Sequence, residues 1–325
     1  MSIKKDSLQM SFGDLSAQRI LDKCRDHPLL QIKREFSFEQ FRDILTPLYS
    51  DTGRPAYDPV KMLRLLALGK LHNLSDEMLE FSVLTNILYR AFCGFGLDED
   101  TPDHSTISRF RDRLMPVWDE IWERFLNWLE DKGYLGNSLV IVDSTALRSR
   151  GRYRSERSSN SDDGRIDYSE QTDPDARHGH KSNKKPFYGY KGHIAMDGNS
   201  DFIVAVETTP GNVFDGAMLP VLVDKLRYLP DAITGDRAYN SVSNSLFLRL
   251  RGVEDKTIPR HPRRGRKPRA HKQRKRIERV FSVIKGKFGL ARTRFFGLPK
   301  VSIEFGLAAF AFNLVNILSI RGSPV

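Results

Sequence analysis

Between residues 15 and 133 apolar side chains recur at three- and four-residue intervals, as at Val60, Leu63 and Leu66, at Met78, Leu79 and Val83, and at Val117, Ile121, Trp122, Phe125 and Trp128. That period gathers them on one side of successive helices and predicts an all-helical region. Gly53-Arg54-Pro55 and Gly94-Phe95-Gly96 punctuate it, and Pro102-Asp103 predicts a further helix start, because an aspartate caps the N–H groups of the Ser-Thr-Ile-Ser-Arg-Phe-Arg run that follows. After residue 136 the pattern changes to short β-rich runs at 139–142, 189–196, 202–207 and 232–234, with a helix predicted over 215–228 and more helix after the fourth run. This order predicts a mixed α/β layer.

The 325 residues thus divide into a helical part, 1–136, and an α/β part, 137–325, and no internal repeat is visible. Within the second part, residues 148–186 form a polar insert in which only Tyr153, Ile166, Tyr168 and Ala176 are apolar or aromatic. Such a segment cannot pack a core, so a mobile or partner-ordered loop is expected, with His178 and His180 solvated. Residues 301–320 are apolar enough to raise the question of a membrane span. They also hold Glu304, Asn313, Asn316 and Ser319, so a buried amphipathic helix is expected and no membrane.

Charge changes the picture more than composition does. The net charge is +11, yet residues 260–294 alone carry 15 Lys and Arg against one acid, Glu278, so the remainder is mildly acidic. Excess concentrated in one segment predicts a polyanionic partner held there. Two cysteines, Cys24 and Cys93, exclude a disulfide scaffold and a cysteine-based zinc site, and a reducing, cytoplasmic setting is expected. The opening residues, MSIKKDSLQM, lack the apolar run of a signal peptide.

Three acids are candidates for chemistry. Asp143 follows the apolar run Leu139-Val140-Ile141-Val142 and Asp236 follows Ala232-Ile233-Thr234-Gly235, so each is expected at the carboxyl end of a strand, where ligand sites of open α/β sheets lie. Glu278 falls on a helix predicted over 272–287. At 100° per residue Arg274, Glu278 and Lys285 share one face, beside an apolar stripe of Ile277, Val280, Phe281, Ile284 and Phe288. Taken alone, Glu278 could simply pair with its cationic neighbours. Three carboxylates can also hold two Mg²⁺ ions about 4 Å apart for in-line attack on a phosphodiester.

The runs VDSTAL around Asp143, GDRAYNS around Asp236 and RKRIERVFSVIK around Glu278 resemble the three catalytic blocks of DDE-type insertion-sequence transposases, most nearly the insertion-sequence-five group. GYKGH at 189–193 and TPGNVFDGAML at 209–219 match in style, and the resemblance runs from about residue 53 to 316. It implies an RNase H-like core, catalytic and metal-binding roles for Asp143, Asp236 and Glu278, two Mg²⁺ or Mn²⁺ ions, and cleavage and joining of DNA. It further implies that Arg274 and Lys285 flank Glu278 on the DNA, with His271 where the family has tyrosine. Because 42 positions separate Asp236 from Glu278, the β-rich domain that related groups insert there is absent and a compact core is implied, with one strand expected at 256–258.

Further DNA contacts are expected from position. Lys191 and His193 share a strand face and could meet DNA or a metal-bound water, with an edge-exposed pair as an equal alternative. Arg263, Arg264, Arg266 and Lys267 sit in HPRRGRKPR, whose prolines and lack of period predict an extended arm tracking phosphates. Arg109 and Arg113 share one face of the helix after Asp103, with Ser105 and Arg111 available for other contacts, so this helix could enter a major groove. The helical part could instead serve assembly, with Trp118, Trp122, Phe125 and Trp128 as core or interface; the resemblance favours recognition of terminal inverted repeats. Asp215 is read as a helix cap rather than a fourth ligand. The expected protein is therefore a transposase working on double-stranded DNA at the nucleoid as a homo-oligomer in a synaptic complex. The alternatives are a non-catalytic DNA-binding regulator or decayed copy, and a stand-alone metal nuclease.

Overall fold

The computed structural model describes residues 12–49, 55–136, 138–151, 172–180, 186–259 and 270–320, with side chains from residue 16 at the start and from residue 275 in the helix that begins at Ala270. Two compact units result, Met1–Tyr134 with Phe310–Val325, and Leu135–Ala309. The chain beyond Ala309 thus groups with the helical part, whereas its place in the sequence assigned it to the α/β part.

The first unit is helical, as its period requires. Its helices are α1 (Phe12–Lys23), α2 (Pro28–Glu35), α3 (Arg42–Leu45), α4 (Pro59–Leu71), α5 (Asp76–Thr85), α6 (Ile87–Cys93), α7 (His104–Leu114) and α8 (Trp118–Asp131). Short polar side chains start several of them by taking N–H groups that have no partner in the first turn. Asp58 accepts from Val60 and Lys61, Ser75 from Met78, Asn86 from Leu88 and Tyr89, and Asp103 from Thr106. The core is aromatic: Phe36, Phe38, Phe41, Trp118, Phe125 and Phe310 are all buried. Phe310 lies 4.8 Å from Phe125 and 6.0 Å from Phe36, ring centre to ring centre. Each such ring contributes roughly 1.5–3 kcal/mol by burial alone.

The second unit is a mixed sheet of β1 (Leu139–Arg148), β2 (Arg177–His180), β3 (Pro186–Asp197), β4 (Ile203–Pro210), β5 (Ala232–Thr234) and β6 (Glu254–Asp255), with α9 (Met218–Asp224), α10 (Val242–Leu250), α11 (Ala270–Gly286) and the part of α12 (Leu298–Ile320) up to Ala309, the rest of α12 belonging to the first unit. β1 is central, antiparallel to β3 and parallel to β5, and β6 continues the parallel half. β4 and β2 both pair with β3 on its other edge, where Gly189 meets Arg177 while meeting Arg148 of β1 on the first.

Alternation distributes the faces. Gly192 turns to α12, where the Phe305 ring lies so close that an added Cβ would sit 2.5 Å from it, so this crossing needs glycine. Its neighbours Lys191 and His193 turn to the opposite face, toward the start of α9, and the sheet is covered on both sides.

Several expectations change. The strand expected at 256–258 is β6, two residues earlier, and the helix expected over 215–228 is a short 3₁₀ turn, Asp215–Ala217, followed by α9. The insert is ordered at its end: β2 lies within it, and Asp173 and Ala176 are fully buried. Helix α12 is not amphipathic. It is apolar all round and long enough to cross a membrane, and 72% of its most apolar window is buried inside the protein, as in a core helix. Its Glu304 accepts the N–H of Arg294 at 3.0 Å.

Candidate active site

Asp143 lies in the middle of β1, not at its end. Pairing with β3 carries the strand on to Arg148, whereas β5 stays beside it only as far as Thr234, opposite Ile141. The same edge of β1 is next used at Arg148, which bridges to Arg292. Asp143 and Asp236 each stand two residues beyond the last pair of this parallel ladder, Ile141 opposite Thr234. An apolar run without a turn residue before it could not reveal this, because the end of pairing on one edge leaves no mark on the other.

The two carboxylates are half-buried and each is steadied by its own backbone: Asp143 Oδ1 accepts from the N–H of Ser144 and Asp236 Oδ1 from that of Ala238, both at 2.8 Å. The Asp236 carbonyl accepts from the N–H of Tyr239 at 3.2 Å, closing a turn that folds the Tyr239 ring back over Gly235. A Cβ on Gly235 would come 2.8 Å from Val142 and 3.0 Å from that ring, so only glycine lets the turn pack against β1.

Tyr239 is fully buried, and its hydroxyl has no hydrogen-bond partner among the described residues. Burial pushes its phenol pKa well above the ordinary value, and the negative charges of Asp143, Asp215 and Asp236 push it further. The Ser144 side chain is near enough to oppose this a little without reaching bonding geometry. Neither Tyr239 nor the proximity of Asp215 was singled out from sequence. The signal present was a tyrosine three residues after Asp236.

Glu278 is exposed on α11, and the stripe beside it, Ile277, Val280, Phe281, Ile284 and Phe288, is buried as expected. Helix α11 packs on β1 and is tied to the turn after β3 by Arg276, which pairs with Asp201 at 2.7 Å and donates to the carbonyls of Gly198 and Asn199. Among the described residues no three His, Cys, Asp or Glu side chains gather closely enough to hold a metal ion, so the three acids do not form a closed cage. Asp143 and Asp236 do fit a divalent ion in kind: both are hard oxygen donors two residues past the end of one strand ladder, and the charges of both act on a buried hydroxyl that lacks a partner among the described residues.

The expected DNA contacts separate sharply. Lys191 and His193 do share a face, but neither reaches solvent as a free cation. Lys191 donates to Asp215 Oδ1 and to the Val213 carbonyl, each at 2.7 Å. His193 is fully buried with Nε2 against Thr209 Oγ1 at 2.9 Å, and burial lowers its pKa to about 4, so its imidazole is neutral. Asp215 is the first residue of its 3₁₀ turn and no side-chain cap is made there; its carboxylate serves Lys191 instead.

Lys285 is half-buried in the last turn of α11. His271 and Arg274 belong to α11, their side chains outside the description, and Arg263, Arg264, Arg266 and Lys267 lie outside the described residues. On α7, Arg109 is exposed and donates to Ser105 and Thr106, and Arg113 lies over the Tyr49 ring at 5.1 Å. Both line a cavity of about 260 Å³ together with Tyr49, Tyr57 and Asp103. Arg111 is not available: it is buried and grips Asp76 through both guanidinium nitrogens.

Among solved structures the chain is similar to one titled "Cryo-EM structure of piggyBac transposase synaptic complex with hairpin DNA (SNHP)", with 12% identity, a TM-score of 0.46, and coverage of 92% of this chain and 77% of that one. Residues 17–113 match the family described as Transposase domain (DUF772). Residues 134–314, more than half of the chain, match the family described as Transposase DDE domain, and the protein belongs to the DDE transposases, enzymes that act on DNA and depend on divalent metal.

Proposed function

We propose that this transposase cuts DNA at the terminal inverted repeats of an insertion sequence and transfers the freed 3′-hydroxyl ends to target DNA. Asp143, Asp236 and Glu278 are its metal-holding catalytic acids, and the ions are two Mg²⁺, replaceable by Mn²⁺. The observation that carries this reading is that Asp143 and Asp236 each stand two residues beyond the last pair of the parallel β1–β5 ladder, Ile141 opposite Thr234. Helix α11, which packs on β1, brings Glu278 as the third acid in chain order. When bound, such ions activate a water or a 3′-hydroxyl and stabilise the leaving oxygen. The protein's own part is to hold the acids in register: backbone N–H groups orient Asp143 and Asp236, and the Arg276 contacts fix the helix carrying Glu278.

Residues 1–136 recognise the element end, with Arg109 and Arg113 of α7 at the groove. Residues 137–325 catalyse, with Arg274, Lys285, His271 and the basic arm on phosphates. Joining two ends in one event calls for more than one copy, so the working form is a homo-oligomer acting on nucleoid DNA in the cytoplasm.

The test uses duplexes carrying the short inverted repeats that flank the gene. Asp143→Asn, Asp236→Asn and Glu278→Gln should each lower Mg²⁺-dependent end cleavage by about 100-fold or more, with end binding retained. Ca²⁺ should support binding without turnover. Cleavage at wild-type rate by any variant removes that acid from the site. Cleavage of any duplex without joining makes the protein a metal nuclease, and end binding without cleavage makes it a regulator.

A further inference from the structure

The buried Tyr239, three residues after Asp236, has an energetic anomaly. A phenol hydroxyl withdrawn from water without a partner destabilises the folded state, and natural cores rarely keep one without a use. Phenylalanine would fill the same space without that cost. The ring itself is well placed: it closes over Gly235, its N–H bonds the Asp236 carbonyl, and its own carbonyl accepts from Asn244 at 2.9 Å. The backbone of Tyr239 is satisfied, whereas its hydroxyl has no hydrogen-bond partner among the described residues and lies within electrostatic reach of Asp143, Asp215 and Asp236. Of those, Asp215 pairs with Lys191, and Asp143 and Asp236 are the two assigned to the chemistry.

We propose that Tyr239 is a positioning residue of the cleavage site, whose hydroxyl donates a hydrogen bond to the Asp143–Asp236 carboxylate pair when the site is loaded and fixes its orientation. The inference rests on the assignment of those two aspartates as metal-holding acids. A hydrogen bond to a charged acceptor in a place closed to water is among the stronger ones, so the hydroxyl's contribution appears on loading, while in the unloaded protein it is a defect. Stability and function should then respond in opposite directions to removal of one oxygen atom, which a purely packing role does not allow.

The experiment compares full-length wild type, Tyr239→Phe and Asp143→Asn in three measurements: thermal unfolding in chelator, Mn²⁺ binding by calorimetry, and single-turnover cleavage of an end duplex. Tyr239→Phe should unfold in chelator at the wild-type temperature or above it, bind Mn²⁺ about 10-fold more weakly, and cleave about 10- to 100-fold more slowly with end binding unchanged. Wild-type Mn²⁺ affinity and cleavage in Tyr239→Phe overturn the proposal, as does a lowered unfolding temperature in chelator, which would mark the hydroxyl as structural. If Asp143→Asn itself binds Mn²⁺ and cleaves as wild type, the assignment of the acids fails. If Asp143→Asn is inactive and Tyr239→Phe is unaffected, only the role of Tyr239 fails.

Discussion

The ammonium of Lys191 on β3 lies 2.7 Å from the carboxylate of Asp215 at the turn before α9, with both side chains largely withdrawn from water. The pair fastens the sheet to the helix layer and leaves Lys191 no charge to offer a phosphate. Lys191→Ala should therefore cost about 1–3 kcal/mol of stability, less than a fully enclosed pair because Asp215 keeps some exposure. It should leave the salt slope of DNA binding unchanged, measured by titration between low and moderate salt.

His193 makes stability depend on pH in a defined window. Its folded pKa is about 4 against the ordinary 6.5, chiefly through burial, with Asp215 and Glu207 pulling upward and Lys191 downward. Between those values the unfolded chain holds a proton that the folded chain refuses. Stability is thus fully present above pH 6.5 and is lost as pH falls toward 4, by up to about 3 kcal/mol. His193→Gln should flatten that part of the profile in denaturant unfolding from pH 7 to pH 4, and an unaltered slope would assign it to other groups.

Arg111 and Asp76 join α7 to α5, and removing either leaves an enclosed charge unmatched. Arg111→Ala should lose about 2–4 kcal/mol, and Asp76→Ala about as much. The double substitution should cost clearly less than the two added together, which a double-mutant cycle reads directly. Arg109→Ala, on the exposed face of the same helix, should leave stability alone and instead reduce discrimination between end and random duplexes.

Asp173 shows how the polar insert is anchored. Buried completely, its carboxylate takes the hydroxyls of Ser149 and Tyr190 and the N–H of Gly297. Tyr190→Phe removes one of three donors and should cost about 1–2 kcal/mol in chemical denaturation, with Ser149→Ala similar. If both variants match wild type, the network is incidental to the fold.

Neutralising Arg263, Arg264, Arg266 and Lys267 together should weaken binding to end and random duplexes alike. The salt dependence should flatten by roughly 0.9 log unit for each phosphate that is no longer neutralised. An unchanged slope would make this stretch a solvated surface.

How much of this was legible beforehand depends on what each residue's neighbours in sequence can report. The helical period of the first unit, the Asp103 cap and the buried stripe of α11 are local regularities, and they appear as read. The separation of Lys191 and His193 from solvent was not local: it depends on Asp215 and Thr209, brought over by β4 and the turn after it. Strand alternation placed the two on one face correctly but carries no information on which face is covered. The described end of the insert was misread for a related reason. Counting apolar residues missed Asp173, because a buried carboxylate held by hydroxyls looks in sequence like any polar loop residue. Tyr239 was hidden in plain view within GDRAYNS, since an unpaired hydroxyl is a property of the folded neighbourhood alone.

The order in which the chain is made gives the Phe310 ring a further meaning. It completes the aromatic cluster of Phe36, Phe38, Phe41, Trp118 and Phe125, yet it is synthesised after the entire sheet unit. A nascent chain halted anywhere before residue 310 lacks the centre of its helical unit, however complete that unit looks by residue number. Truncated products therefore forfeit the burial that this ring adds to the helical unit. Completion of the helical unit is withheld until nearly all of the sheet unit has been translated.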